Sequence, residues 1–220
     1  DDKYGIINPD VYGLINSLGW IYRFLNVINT PIPETNICHS SAAAFCGIPC
    51  VISKKIYKSS YLLTEHGVYL REQYLSLSKR QYPSYLNTFL IRLIKSVVKL
   101  NYYSANQISP VCEYNTKWER EFGVNKEKIR VIYNGIDDKV FVPVHDSNKD
   151  HTINVVMVAR IDPIKDIISF IKAAAIIYEK YKNVKFYVYG SVSVKEYFNE
   201  CKIIKSKLKL DQVFIFAGHT

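Results

Sequence analysis

The chain has 220 residues, 48% of them apolar, which is enough for one large or two small globular domains with a buried core. Its 29 Lys and Arg residues against 20 Asp and Glu give a net charge of +9, which favours anionic partners such as phosphorylated ligands or anionic lipids. No recognised module or basic run with interleaved aromatics is present, so we expect no nucleic-acid partner. No apolar run approaches the roughly 20 residues that cross a bilayer.

The five cysteines do not form a metal-binding pattern. Cys46 and Cys50 are four residues apart, but no second Cys or His pair stands at zinc-site spacing. Because the cysteines are odd in number and widely spread, we expect reduced thiols in a cytoplasmic protein. The chain begins without Met and shows no signal peptide, and its abrupt ends predict a segment of something longer.

The first part of the chain alternates helical and extended patterns. An aromatic-rich helix is predicted over residues 11–27, and the Pro-containing run 30–33 ends it. The predictions that follow are a strand at 36–40, a small-residue helix at 41–46, a strand at 60–64, helices at 69–79 and 84–99, a strand at 103–109, a helix at 111–122 and a strand at 129–133. Alternation of this kind predicts a parallel sheet covered on both faces.

A polar stretch at residues 144–152 has no apolar periodicity and divides the chain. We therefore predict an α/β protein with two Rossmann-like parallel-sheet domains, both incomplete. Their bounds are 1–145 for the N-terminal domain, 146–152 for the linker and 153–220 for the C-terminal domain. In the second domain we predict strands at 153–158, 184–189 and 213–216, and helices at 164–181 and 194–209.

The most informative segment is residues 158–166 (VARIDPIKD), between a predicted buried strand and a helix. Asp162 followed by Pro163 is typical of a helix start, because the carboxylate can cap free amides and the proline ring fits the first helical position. Arg160 and Lys165 flank this start, where the helix dipole disfavours cations. A bound phosphate or diphosphate would explain them. Alternatively, the neighbouring aspartates simply neutralise them.

Loops after the other predicted strands also carry Gly, His or charged residues, and ligands of open α/β sheets bind at such loops. They are residues 65–67 (EHG), 134–137 (NGID), 190–191 (GS) and 218–219 (GH). His66 can hydrogen-bond a hydroxyl or phosphate there, although a lone histidine can also be structural. Gly135 can occupy a simple turn with positive φ, and Gly190 and Gly218 permit close backbone approach. No GxGxxG motif is present, which disfavours nicotinamide and flavin cofactors.

The predicted helix 84–99 has one apolar face and carries Arg92, Lys95 and Lys99 on the other side. A basic amphipathic helix can lie on an anionic membrane surface. It can equally pack on its own sheet and solvate its basic face. The sequence leaves both alternatives open.

Three segments in order resemble landmarks of the GT4-type retaining glycosyltransferases, and they are most similar to the PelF-like branch linked to exopolysaccharide synthesis. They are residues 62–72 (LLTEHGVYLRE), 130–137 (RVIYNGID) and 158–166 (VARIDPIKD). The resemblance covers about residues 60–220 and implies the GT-B fold, two facing Rossmann-like domains with the nucleotide-sugar held mainly by the C-terminal one. The family's glycine-rich loop has no counterpart, and its paired-glutamate motif would follow Thr220.

The resemblance implies a role for each matching residue. Arg160 and Lys165 match the basic pair that contacts the donor diphosphate, and His66 matches the histidine near the transferred sugar. The other expected substrate contacts are Glu65, Arg71, Asn134, Gly135, Gly190 and Gly218. Arg71 and the next residue, Glu72, can also be a mere charge pair on a helix surface.

The implied activity is transfer of a sugar, with retention, from a nucleotide-sugar to a glycan acceptor in exopolysaccharide synthesis. A UDP-sugar is the expected donor, and neither a metal nor a cofactor is expected. The implied location is cytoplasmic, with contact to the inner face of the plasma membrane or to a polysaccharide-synthase complex left open. We expect the isolated segment to be inactive. The alternative of another class is a non-catalytic module of the same fold that binds a nucleotide-sugar or phosphate.

Overall fold

A computed structural model describes residues 10–142 and 152–219, which belong to two compact units divided between Val140 and Phe141. In the described residues, each unit has a three-stranded parallel sheet with helices packed against it. The predicted α/β class with two Rossmann-like parallel-sheet units is thus confirmed. The predicted linker, 146–152, lies outside the described residues except for Thr152, and the exact domain limits stay predictions.

The first unit contains five helices and three strands among its described residues. They are α1 (Val11–Ile28), β1 (Ile37–Ser40), α2 (Ile48–Tyr57), β2 (Ser60–Glu65), α3 (Tyr69–Lys79), α4 (Ser84–Ser104), β3 (Gln107–Pro110) and α5 (Glu113–Glu121). The strand order is β1-β2-β3, so β2 is central and its alternate residues are buried. Tyr61 and Leu63 of β2 share one apolar core with Leu90 and Val98 of α4. Packing in this core positions the carboxyl end of β2, which the His66 loop follows.

Two helix predictions in the first unit are wrong at their boundaries. The helix predicted at 41–46 is instead a bent segment followed by one 3-10 turn, Phe45–Gly47. The true helix, α2, begins later, and its first turn contains Pro49, whose ring suits that position. Helix α4 continues to Ser104, well beyond the predicted end at residue 99.

Two strand predictions in the first unit are also shortened. The strand predicted at 103–109 becomes β3, because α4 occupies its first residues. The strand predicted at 129–133 reduces to one isolated bridge between Ile129 and Ile108. Backbone hydrogen bonds from Arg130 N to Ile108 O (2.9 Å) and from Ile132 N to Pro110 O (3.0 Å) still hold this segment beside β3.

The second unit contains three strands and two helices among its described residues. They are β4 (Ile153–Val158), α6 (Ile167–Lys180), β5 (Val184–Tyr189), α7 (Lys195–Lys207) and β6 (Phe214–Gly218). The strand order is β4-β5-β6, and all neighbours are parallel. The core lies around Val184, Phe186 and Val188 of the central strand β5. Strands β4 and β5 have the bounds that their apolar runs predict.

Strand β4 was expected to be buried, and this expectation is wrong for the structure described. Ile153, Val156 and Val158 are 59%, 54% and 81% exposed. Among the described residues β4 pairs only with β5, so it stands at a sheet edge. An apolar run predicts a strand but cannot reveal how many neighbours that strand has. No helix in the described part of the chain has both the length and the apolar character needed to cross a membrane.

Candidate functional site

The loops that follow β4, β5 and β6 are joined by backbone hydrogen bonds at one edge of the second unit. Ala159 N donates to Tyr189 O, and Ile161 N donates to Ser191 O, both at 2.9 Å. The amide of Gly190, directly after β5, donates to a carbonyl at the end of β6 at 2.7 Å. The three loops therefore form one continuous backbone surface beyond the carboxyl ends of the strands, where ligands of α/β sheets bind.

A cavity of about 330 Å³ opens at this surface. It is lined by Val158, Ala159, Arg160, Tyr189, Gly190, Ser191 and His219. Two predicted site residues, Arg160 and Gly190, are thus brought together, and a third, Gly218, directly precedes the lining His219. Lys165 is not among the lining residues. The volume lies at the lower end of the range of small-molecule sites.

Gly190 is required by the close approach of two loops. A Cβ atom at this position would overlap the main-chain carbonyl of Ala159. Gly218 has a φ of +84°, in the left-handed region that disfavours side chains. The predicted close backbone approach is thus found at Gly190, whereas a Cβ atom at Gly218 would meet nothing within 4 Å and only the positive φ favours glycine there.

Both aspartates of the segment 158–166 cap backbone amides. Asp162 Oδ1 accepts a hydrogen bond from Ile164 N at 3.0 Å, at the start of the 3-10 turn Pro163–Lys165. Asp166 Oδ1 accepts one from Ser169 N at 3.3 Å and caps α6. The helix start predicted at Asp162 is therefore corrected, since Asp162 begins only a single turn and the α-helix begins after Asp166.

The two predicted phosphate-binding cations are exposed. Among the described residues the one ion pair within 4.0 Å joins Lys205 to Asp211, so Arg160 and Lys165 have no carboxylate partner. The alternative that neighbouring aspartates neutralise them by ion pairing is therefore not observed. Arg160 lines the cavity at the strand ends, and Lys165 directly precedes Asp166, the N-cap of α6.

His66 stands directly after the central strand of the first unit and is exposed. A second histidine, His39 of the neighbouring strand β1, was not singled out from the sequence. His39 is exposed near the carboxyl end of β1, and its Nε2 lies 2.8 Å from Thr64 Oγ1. Thr64 belongs to β2, and His66 follows the end of that strand. The position of His39 at a strand end was the sequence feature that could have revealed it.

Arg71 and Glu72 have separate contacts and do not form a surface ion pair. The Arg71 guanidinium lies 5.3 Å from the centroid of the Trp118 ring, a cation–π geometry. The Glu72 carboxylate lies over Gly67, where any Cβ atom would overlap it. Arg71 is thus held against α5, and the turn after His66 is covered by a carboxylate.

Asn134 and Gly135 are exposed and lie outside regular secondary structure. The alternative of a simple turn with positive φ at Gly135 is not observed, because the glycines with positive φ are at other described positions. A Cβ atom at residue 135 would meet nothing within 4 Å. Among the described residues, no contact therefore requires glycine at this position.

Glu65 was expected to contact substrate, but it is fully buried at the end of β2. Its Oε2 accepts a hydrogen bond from the Tyr102 hydroxyl at 2.7 Å, and its Oε1 accepts one from Tyr69 N at 3.4 Å. Burial raises the pKa of the Glu65 carboxyl, although these hydrogen bonds oppose the rise. Buried and bonded in this way, Glu65 acts inside the fold, and we do not retain it as a substrate contact.

A larger cavity, of about 640 Å³, lies in the first unit near the end of α4. Its lining includes four lysines, Lys54, Lys55, Lys58 and Lys128. Lys54 Nζ donates to Ser104 O at 2.7 Å, and Lys128 Nζ donates to Tyr103 O at 2.8 Å. These two charges stabilise the carboxyl end of a helix, where cations are favoured, so they give no reason to assign a ligand there.

Comparisons with known proteins place the chain in a family. Residues 9–127 match a family model described as a domain of unknown function, DUF3492. Since the match covers more than half of the chain, the protein belongs to this family. No curated protein matches the sequence significantly.

The fold is also found in solved structures. Anabaena Alr3699/HepE with UDP-glucose has a TM-score of 0.62 at 18% identity, over 84% of this chain and 48% of HepE. HepE with UDP has a TM-score of 0.65 at 16% identity, with the same coverage. TarM of S. aureus has a TM-score of 0.53 at 19% identity, over 90% of this chain and 36% of TarM. The chain spans about half the length of HepE, and the expected GT-B fold class is confirmed.

Proposed function

We propose that this chain is part of a glycosyltransferase that moves a sugar from a nucleotide-sugar donor to a glycan acceptor. One observation carries the proposal: Arg160 lines a cavity at the strand ends and has no ion-pair partner among the described residues. A cation that lines a cavity and has no ion-pair partner is suited to bind a diphosphate. The crystal structures of HepE, which has the same fold, contain UDP-glucose or UDP, and this supports a UDP-sugar as the donor.

In the proposed reaction the two cations serve the leaving nucleotide. Negative charge develops on the diphosphate as the bond to the sugar breaks, and fixed positive charges lower the energy of that state. Arg160 would hydrogen-bond the diphosphate within the cavity, and Lys165 would add charge from the turn before α6. A charge-assisted hydrogen bond contributes about 1.5–3 kcal/mol. In this proposal fixed side chains perform the task, without a metal or cofactor.

His66 keeps the role that the resemblance implies, a hydrogen bond to the transferred sugar. Its exposed ring at the end of β2 is available for such a bond. Retention of configuration, the GT4 type, the PelF-like branch and exopolysaccharide synthesis at the cytoplasmic face of the membrane belong to the same proposal. They rest on the three sequence motifs.

A donor-hydrolysis assay of the whole glycosyltransferase of which this chain is proposed to be part tests the proposed function, because the isolated segment is expected to be inactive. Release of UDP from UDP-sugars is compared with release of GDP and ADP from their sugars, with and without glycan acceptors. We expect UDP-sugars to be preferred and Lys165→Ala to lower turnover severely while the circular dichroism stays unchanged. Lys172→Ala is the matched control, because Lys172 is an exposed lysine of α6 and its loss changes net charge equally. Equal turnover in both variants contradicts the role of Lys165.

The same assay distinguishes the alternative of another class. A protein that binds UDP but releases none from any nucleotide-sugar, with any acceptor, is a non-catalytic binding module of this fold. Absence of both binding and turnover contradicts both alternatives.

A further inference from the structure

Two carboxyl groups are buried together beneath the turn that carries His66. Glu65 ends β2, Glu119 belongs to α5, and both side chains are 0% exposed. The two carboxyl groups are neighbours in the core, since each affects the pKa of the other. A pair of buried carboxyl groups is unusual, because a charged group loses its hydration on burial.

Glu65 is surrounded by hydrogen-bond donors. The Tyr102 hydroxyl from α4 donates to Oε2, and the Tyr69 amide at the start of α3 donates to Oε1. Tyr69 is the first residue of α3, and the preceding residue, Val68, offers no side-chain cap. Glu65 therefore takes the place of the missing cap, where negative charge is favoured by the helix dipole.

Glu119 has no such donors. Neither of its oxygens receives a hydrogen bond from a donor among the described residues. The adjacent Arg120 exerts a minor attraction, but its guanidinium is bonded to the carbonyl and hydroxyl of Thr116. A search of the described residues finds no group of three or more His, Cys, Asp or Glu side chains that could hold a metal ion.

A proton on one of the two groups would remove the cost of burying two neighbouring charges without donors to Glu119. Two ionised carboxylates in contact repel each other, and a carboxyl pair of this kind takes up one proton. The proton belongs on Glu119, because the donors around Glu65 stabilise its negative charge. Glu119 then donates its O–H to Glu65. Consistently, burial first and the neighbouring charge of Glu65 second raise the pKa of Glu119 to about 8.

We propose that Glu65 and Glu119 hold one proton between them, carried by Glu119, and that this pair positions the turn on which His66 stands. Glu65 is joined to His66 by a peptide bond, and its side chain spans the turn to reach the amide of Tyr69. Glu65 thus holds both ends of the turn, the first through its backbone and the second through its carboxylate. The link from this turn to sugar transfer rests on the proposed function, whereas the shared proton does not.

The proposal predicts a specific pH dependence of stability. Glu119 binds its proton more tightly in the folded than in the unfolded chain, where the pKa of a glutamate is near 4.5. Stability from this group is therefore fully present below about pH 4.5 and declines as the pH rises to about 8, the folded pKa. Above that pH, Glu119 is ionised beside Glu65 and the turn is loosened.

Thermal unfolding of the chain from pH 5 to 9 tests the shared proton without any substrate. Glu119→Gln keeps a donor toward Glu65 but cannot ionise, so its melting temperature should fall less with pH than that of the wild type. Glu121→Gln is the control, because Glu121 lies on the same helix and is exposed. The control should follow the wild type at every pH. If the melting temperatures of the wild type and Glu119→Gln differ by the same amount at every pH, the shared proton is contradicted.

A second measurement covers the case in which Glu119→Gln does not fold. The infrared spectrum of the wild-type protein at pH 7 should contain the carbonyl band of a protonated carboxylic acid that resists hydrogen–deuterium exchange. The band should disappear above about pH 8, the folded pKa of Glu119. Absence of this band at pH 7 overturns the proposal.

The ring signals of His66 in NMR spectra test positioning, and they separate it from a purely structural role. In the wild type and in Glu121→Gln, these signals should change with an inflection near pH 8, where Glu119 ionises. In Glu119→Gln this inflection should be absent, and His219 of the second unit should lack it in all three proteins. If the His66 ring signals depend on pH identically in the wild type and in Glu119→Gln, the carboxyl pair does not position the turn that carries His66. If these tests give the expected results but the whole enzyme releases no nucleotide from any donor, the shared proton stands and the proposed function is contradicted.

Discussion

The carbonyl of Ala159 occupies the space that a side chain at Gly190 would need. Ala159 follows β4 and Gly190 follows β5, so this contact joins two loops at the carboxyl ends of neighbouring strands. Gly190 N also donates to the carbonyl of Gly218 at 2.7 Å. The shape of the cavity beside Arg160 therefore depends on one residue without a side chain.

The first prediction concerns this contact. Gly190→Ala should destabilise the chain by about 1–3 kcal/mol, the usual cost of forcing extra atoms into a filled space. It should also weaken UDP binding, because the loops around the cavity must separate. Gly135→Ala is the control, since a Cβ atom there meets nothing within 4 Å. Thermal unfolding of both variants measures the effect, and equal melting temperatures would contradict it.

The second prediction concerns the start of α6. Asp166 has a φ of +49° and its carboxylate caps the amide of Ser169. Asp166→Ala should cost about 1–2 kcal/mol through loss of the cap, with a further cost because alanine is disfavoured at positive φ. Asp166→Asn should cost little, because asparagine can both cap and adopt this backbone conformation. Chemical denaturation of the two variants separates them, and similar losses in both would contradict the capping role.

The third prediction concerns the donor to Glu65. Tyr102→Phe removes a hydroxyl that lies 2.7 Å from Glu65 Oε2 in the core. The loss should destabilise the protein by about 1–3 kcal/mol, because a buried charged acceptor is left with one donor fewer. Tyr103→Phe is the control, since Tyr103 is 84% exposed. Equal free energies of unfolding in the two variants would contradict the bond's contribution.

Much of the fold followed from the sequence because the apolar runs were sharply bounded. Strand β5 is flanked by polar residues, and its alternating pattern places Phe186 and Val188 in the core. Helix α2 was missed because small residues at 41–46 suggested an earlier helix, while its own sequence mixes lysines and apolar residues. The exposure of β4 depends on which strands flank it, and no local pattern encodes that.

Site residues that directly follow strands could be predicted from the sequence. Residues whose burial depends on tertiary contacts could not. Arg160 and Gly190 were named from their positions alone, and they line one cavity. The role of Glu65 was misjudged, because a charged residue in a loop motif suggests exposure, whereas Tyr102 lies 37 residues further along the chain and buries it. Glu119 could not be found at all, since it lies in a polar helix whose buried positions are set by tertiary contacts.

Calorimetric titration of UDP into the chain tests the central claim most directly, that an unpaired cation at the strand ends binds a nucleotide diphosphate. We predict measurable UDP binding that Arg160→Ala weakens roughly 10- to 100-fold, the equivalent of one charge-assisted hydrogen bond. The matched control Lys172→Ala should bind UDP as the wild type does. Absence of UDP binding, or equal affinity in Arg160→Ala and Lys172→Ala, would contradict the account.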